Sequence, residues 1–134
     1  MKPVATIIIV EDDPTNARVA ERVLARMGGH AVCVCEDGDD VLARCERGEV
    51  DLIVMDISLA NTRVDGGAVD GVRLTQLIRE HAPGGGPPVL LLTAHAMRGD
   101  RDRLLESSGA DDYIAKPVVD HRELVERVSK LLAA

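Results

Sequence analysis

Runs of aliphatic residues stop on polar groups at four places in this chain. Glu11, Asp12 and Asp13 follow Ile7–Val10, Asp56 follows Leu52–Met55, Thr93 follows Val89–Leu92, and Lys116-Pro117 follows Tyr113–Ala115. Brought together, Glu11, Asp12 and Asp56 would repel and raise one another's pKa unless a cation stood among them. Oxygen ligands without His or Cys suit a hard ion, and Mg2+ that keeps several waters fits best. A metal alone has no use for Thr93 and Lys116. A hydroxyl and an ammonium opposite a metal-bound carboxylate are what a phosphoryl group on that carboxylate needs, because its oxygens carry the charge developed during transfer. On this reading Asp56 is a nucleophile. Asp13 has a different task, capping a helix whose first residue, Pro14, has φ preset and no N–H to lose.

These groups can meet only if the chain winds suitably. Strand and helix signals alternate five times. Strand Ile7–Val10 leads to a helix with Ala20, Val23, Leu24 and Met27 at helical spacing, ended by Gly28-Gly29. Strand Ala31–Cys35 leads to a helix around Asp39–Arg47, and strand Leu52–Met55 leads through a long loop to Val72–Glu80. After "APGGGPP", strand Val89–Leu92 precedes a helix around Asp100–Ser107 stopped by Gly109. Strand Tyr113–Ala115 precedes a last helix near Arg122–Leu132. Five β/α units predict a parallel sheet with helices on both faces. In such a doubly wound sheet ligands sit beyond the carboxyl ends of the strands, where strand order reverses, and all the polar groups named above fall there.

The 134 residues suit one domain, residues 1–134, with 46% apolar and 29% charged side chains. There is no Trp or Phe, and Tyr113 is the single aromatic residue, so the core must be aliphatic. A net charge of −7 argues against nucleic acid or an anionic membrane surface as a partner. No apolar run approaches the roughly 18 residues of a span, and no signal pattern opens the chain, which reads as cytoplasmic. Cys33, Cys35 and Cys45 lack metal-type spacing and read as buried reduced thiols.

The segments "IIIVEDD", "LIVMDISL", "DGVRLTQLIR", "LLLTAHAMRGD" and "GADDYIAKPV", in this order, resemble the receiver domain of two-component response regulators over essentially the whole chain. "EDDPTN" and "TAHAMRGD" resemble the single-domain, cell-cycle-type regulators and the receivers of hybrid histidine kinases. The resemblance implies a flavodoxin-like (βα)5 three-layer sandwich with strand order 2-1-3-4-5. It implies that Asp56 accepts a phosphoryl group from a phosphohistidine with Mg2+ as cofactor. Asp12 would bind the metal directly, Glu11 through water, and Ser58 through its backbone carbonyl. Lys116 would contact the phosphoryl oxygens, Thr93 would move toward them, Tyr113 would turn inward, and Pro117 would follow a cis peptide bond. The chain would be a signalling protein that catalyses only its own phosphorylation and dephosphorylation. Its partners would be a sensor histidine kinase or histidine phosphotransfer protein, and a downstream protein met through the fourth helix, fifth strand and fifth helix, around Met97–Leu105 and Tyr113–Leu132. A phosphorylation-dependent homodimer is left open. If the chain is the complete gene product, signalling is expected to run through protein contacts of its own surface; a phosphorelay shuttle or a receiver fragment of a hybrid kinase is the alternative.

Two departures stand out. The family usually carries proline four residues after the phosphoacceptor, where this chain has Ala60, and the segment "ANTRVDGGAV", which contains the long loop Asn61–Val69, carries about seven residues more than the family spacing. Asp65-Gly66 within it is a turn signal, and a loop anchored only by Val64 and Val69 is expected to be mobile when free and to set partner choice or access. Other classes fit less well. A haloacid-dehalogenase-type phosphatase would want Asp-x-Asp, but Ser58 holds the second position. A flavodoxin-type nucleotide binder would not place "EDDPTN" where phosphate must bind. A structural pseudo-receiver would have no use for the polar set. His95 reads as a surface residue.

Overall fold

The computed structural model describes residues 5–93, 100–116 and 120–133. In chain order the elements are β1 (Thr6–Val10), α1 (Pro14–Arg26), β2 (Ala31–Val34), α2 (Gly38–Glu46), β3 (Leu52–Asp56), β4 (Arg63–Val64), β5 (Gly67–Ala68), α3 (Gly71–His81), β6 (Val89–Thr93), α4 (Asp100–Ser108), β7 (Asp112–Ala115) and α5 (His121–Ala133). Five of the strands form one parallel sheet in the order β2-β1-β3-β6-β7. Leaving out the small β4–β5 pair, this is the expected order 2-1-3-4-5. The order reverses at β1, between β2 and β3, so the carboxyl ends of β1 and β3 flank the crevice.

The sheet is covered on both faces, which is why its strands are apolar on both alternations. Ile8, Val10, Ile53, Met55 and Leu91 turn to one side and pack with Val41, Leu42, Leu74 and Ile78 of α2 and α3. Ile7, Ile9, Leu52, Val54, Leu90 and Leu92 turn to the other and pack with Ala20, Val23, Leu24, Leu124 and Val128 of α1 and α5. Alternate residues of one strand thus feed two separate cores. Of the three thiols only Cys45 is fully buried, and burial pushes it up to about 11. Cys33 and Cys35, expected to be buried, are half-buried because β2 is an edge strand.

The segment expected to be a mobile loop is instead a hairpin. Arg63 pairs with Ala68 and Val64 with Gly67, leaving Asp65-Gly66 as a two-residue turn. Both turn residues have positive φ, 51° and 81°. That is the type I′ geometry whose twist matches a hairpin, and Asp and Gly tolerate it best. Thr62 is fully buried below the hairpin, and Val64 and Val69 pack against the core on the α2/α3 side.

Candidate functional site

Each polar group of the site is placed by the end of a strand. Asp56 is the last residue of β3, paired in register with Leu92 of β6, and Thr93 ends β6 beside it. Both are buried, as is Glu11 one residue beyond β1. Lys116 follows β7, and its backbone N–H donates to the Thr93 carbonyl at 2.7 Å, so the sheet pairing reaches the residue that carries the ammonium. Gly71 opens α3 directly behind β3. Its N–H donates to the Ile57 carbonyl at 3.0 Å, and a Cβ there would lie 2.1 Å from the Asp56 carbonyl oxygen. Only glycine permits this approach.

One oxygen from each of Glu11, Asp12 and Asp56 falls within 4.8 Å of the others. Lys116 Nζ lies 3.1 Å from Glu11 Oε2 and 3.1 Å from Asp56 Oδ1. Ser58 N–H donates to Asp56 Oδ1 at 3.2 Å, Asp13 N–H to Glu11 Oε1 at 3.3 Å, and Ala60 N–H to Asp12 Oδ2 at 2.5 Å. Burial raises the Glu11 pKa above its ordinary value; the hydrogen bond from Lys116 opposes this and the charge of Asp56 adds to it. Burial also acts to lower Lys116, but hydrogen bonds to Asp56 and Glu11 outweigh it and hold the ammonium above its ordinary value. Among the described residues, three carboxylates gather about one ammonium, which leaves negative charge uncompensated in a largely dry place. Oxygen donors with surplus negative charge fit a hard divalent cation, so the residues present suit Mg2+.

Asp13 stands apart from this group and caps α1, accepting from Thr15 N–H at 2.9 Å and Asn16 N–H at 3.2 Å. Tyr113 is half-buried, packed at the edge of the α2/α3-side core. Pro117 with its peptide bond, His95, Met97 and the segment joining β6 to α4 lie outside the described residues. Reading the side chains alone missed the Ala60 amide, because a backbone N–H carries no signal of its own in the sequence. The missing proline at position 60 was the available clue.

The family model of the response regulator receiver domain matches residues 7–129. The chain is 42% identical over 126 residues to the transcriptional activator protein IrlR of Burkholderia pseudomallei strain 1026b, covering 94% of this chain and 49% of that protein. It is 34% identical over 117 residues to the signal transduction histidine-protein kinase BarA of Escherichia coli K12, covering 87% of this chain and 12% of that one. It therefore spans half or less of these relatives. Among solved structures, the receiver domain of sensor histidine kinase PA1611 from Pseudomonas aeruginosa PAO1 is similar with a TM-score of 0.79 and 33% identity. That match covers 98% of this chain and all of the other, whose crystal structure has a magnesium ion coordinated in the active site cleft.

Proposed function

Because the chain belongs to the response regulator receiver family of two-component signalling, we propose that its residues 1–134 act as a phosphoacceptor receiver domain with Asp56 as the acceptor. The observation that carries this is the Lys116 ammonium, 3.1 Å from Asp56 Oδ1, in a crevice where Glu11 and Asp12 bring two further carboxylates. In the transfer an Asp56 carboxylate oxygen attacks the phosphorus of a phosphohistidine in line; the O–P bond forms as the N–P bond breaks, and the imidazole leaves with the electron pair. Asp12 and Asp56 would hold Mg2+ directly, with the Ser58 carbonyl, and Glu11 through water. The ion would supply charge neutralisation for the phosphoryl oxygens. Lys116 exchanges its hold on Asp56 for the new phosphoryl oxygens, and Thr93 offers its hydroxyl to the same group.

The readout follows from a difference between two states. Phosphoryl oxygens attract Thr93 and Lys116 in one state only, which biases β6, β7 and the half-buried Tyr113. The downstream protein would read this on the face of α4, β7 and α5, and the donor would be a sensor kinase or phosphotransfer protein. No helix among the described residues is long and apolar enough to cross a membrane. Of the alternatives, the phosphatase reading has no support in the comparisons.

Mass spectrometry tests the acceptor. With Mg2+ and acetyl phosphate the chain is expected to gain one acid-labile phosphoryl group that Asp56→Asn does not gain, and equal labelling of both would remove Asp56 from the role.

A further inference from the structure

The hydrogen bond from Ala60 N–H to Asp12 Oδ2 joins residues 48 apart in sequence. It uses only the backbone of residue 60, and a proline there would have no N–H to give. The amide holds one oxygen of the Asp12 carboxylate, which restricts the rotation of the group, and a carboxylate has a second oxygen to offer a cation. Asp12 is the least buried of the three clustered acids, so it gains most from an external hold.

The position of the amide is fixed from both sides. Upstream, the Ile57 carbonyl accepts from Leu59 N–H and Gly71 N–H, each at 3.0 Å, tying the start of the connection to α3. Downstream, the Thr62 carbonyl accepts from Val69 N–H at 3.1 Å, closing the base of the hairpin. The hairpin is in turn seated on α2. Asp39 Oδ1 accepts from Asp65 N–H at 3.1 Å, and Gly38 clears the way, since a Cβ there would lie 2.5 Å from the Arg63 carbonyl oxygen. The extra residues between β3 and α3 thus form a strut from α2 to the acidic crevice.

We propose that the Ala60 amide is a positioning group for Asp12, and that the hairpin seated on α2 holds it there and preorganises the metal side of the site. The inference rests on the reading of Asp12 as a metal ligand. By linkage, Mg2+ binding should in return tighten the seating of the hairpin.

The test is Mg2+ titration by calorimetry and amide NMR on the whole chain, with amide hydrogen exchange in the metal-free protein. Ala60→Pro, which removes the N–H, is expected to weaken Mg2+ binding by about 10-fold, the low end for loss of an outer partner of a metal ligand. Ala60→Ser keeps the N–H and should bind as wild type. Asp39→Ala leaves every residue of the crevice in place and unseats the hairpin, with an expected loss of roughly 2- to 3-fold. In metal-free wild type the Ala60 amide should be protected, and Asp12→Ala should speed its exchange.

A folded Ala60→Pro with wild-type affinity would overturn the proposal, as would equal exchange of the Ala60 amide in wild type and Asp12→Ala. If Ala60→Pro does not fold, wild-type affinity in Asp39→Ala overturns the strut. Failure of wild type itself to bind Mg2+ would sink the metal reading, and the metal part of this inference with it. The exchange data, taken without metal, would show whether the hydrogen bond alone survives.

Discussion

The two ends of the central sheet are built on opposite electrostatic plans. At the carboxyl ends, Glu11 and Asp56 share the ammonium of Lys116, and Asp12 adds a third carboxylate to the same cluster. At the amino ends, one guanidinium has four acceptors around it. Arg79 of α3 donates to the carbonyls of Gly85, Pro87 and Gly109 at 2.7–2.8 Å and pairs with Asp111 at 2.8 Å. Asp111 in turn accepts from Val89 N–H at 2.9 Å, fixing the start of β6. The satisfied end ties α3, the glycine-rich turn and the segment after α4 together. The acidic end keeps repulsion that a proton on Glu11 or a bound cation would relieve. Removing a charge should therefore cost function at one end and stability at the other.

The largest expected effect is on labelling. Asp56→Asn should lower phosphorylation by acetyl phosphate at least about 100-fold, while melting at the wild-type temperature or above because a like charge has left the crevice. Labelling by mass spectrometry and thermal unfolding in chelator check both halves. Marked destabilisation by Asp56→Asn would break the contrast between the ends.

Arg79→Ala is the converse. It strands several carbonyls and Asp111, and should cost about 2–4 kcal/mol in urea unfolding, while labelling per folded molecule stays within about twofold of wild type. If labelling fell in step with stability, the two ends of the sheet would be energetically coupled.

Ligand linkage sharpens the contrast within the acidic end. Mg2+ at about 100 times its Kd should stabilise wild type by about 2.7 kcal/mol and leave Asp12→Ala unmoved. Asp13→Ala should lose about 1 kcal/mol of cap stability and still respond to Mg2+. The reverse pattern in calorimetry would put the ligand one residue later.

The smallest effect is in pH. Burial and the nearby Asp56 charge raise the folded-state pKa of Glu11, so as pH falls the folded chain takes up this proton before the unfolded chain does. Its contribution to stability is fully present below the unfolded value and is lost as pH rises through the raised one. Urea unfolding in chelator between about pH 4 and 7 should show wild type losing stability relative to Glu11→Gln as pH rises. Mg2+ competes with the same proton, so its affinity should weaken toward the acid side. A wild type that gained on Glu11→Gln with rising pH would mean that Lys116 outweighs burial at Glu11.

Sequence alone determined the five β/α units, because apolar runs, Asp13-Pro14 and the glycines after helices are local signals whose physics acts within a few residues. It also placed Glu11, Asp12, Asp56, Thr93 and Lys116 at strand ends, because parallel winding sends every strand's carboxyl end to the same edge. Only the tertiary structure decided what depends on distance between segments. Asp65-Gly66 was legible as a turn, but whether it closed a mobile loop or a hairpin depended on α2, where Gly38 leaves room and Asp39 offers an acceptor. The half-exposure of Cys33 and Cys35 followed from β2 lying at the sheet edge. The hold on Asp12 came from a backbone amide 48 residues away, and a backbone group becomes specific only when the fold fixes where it points.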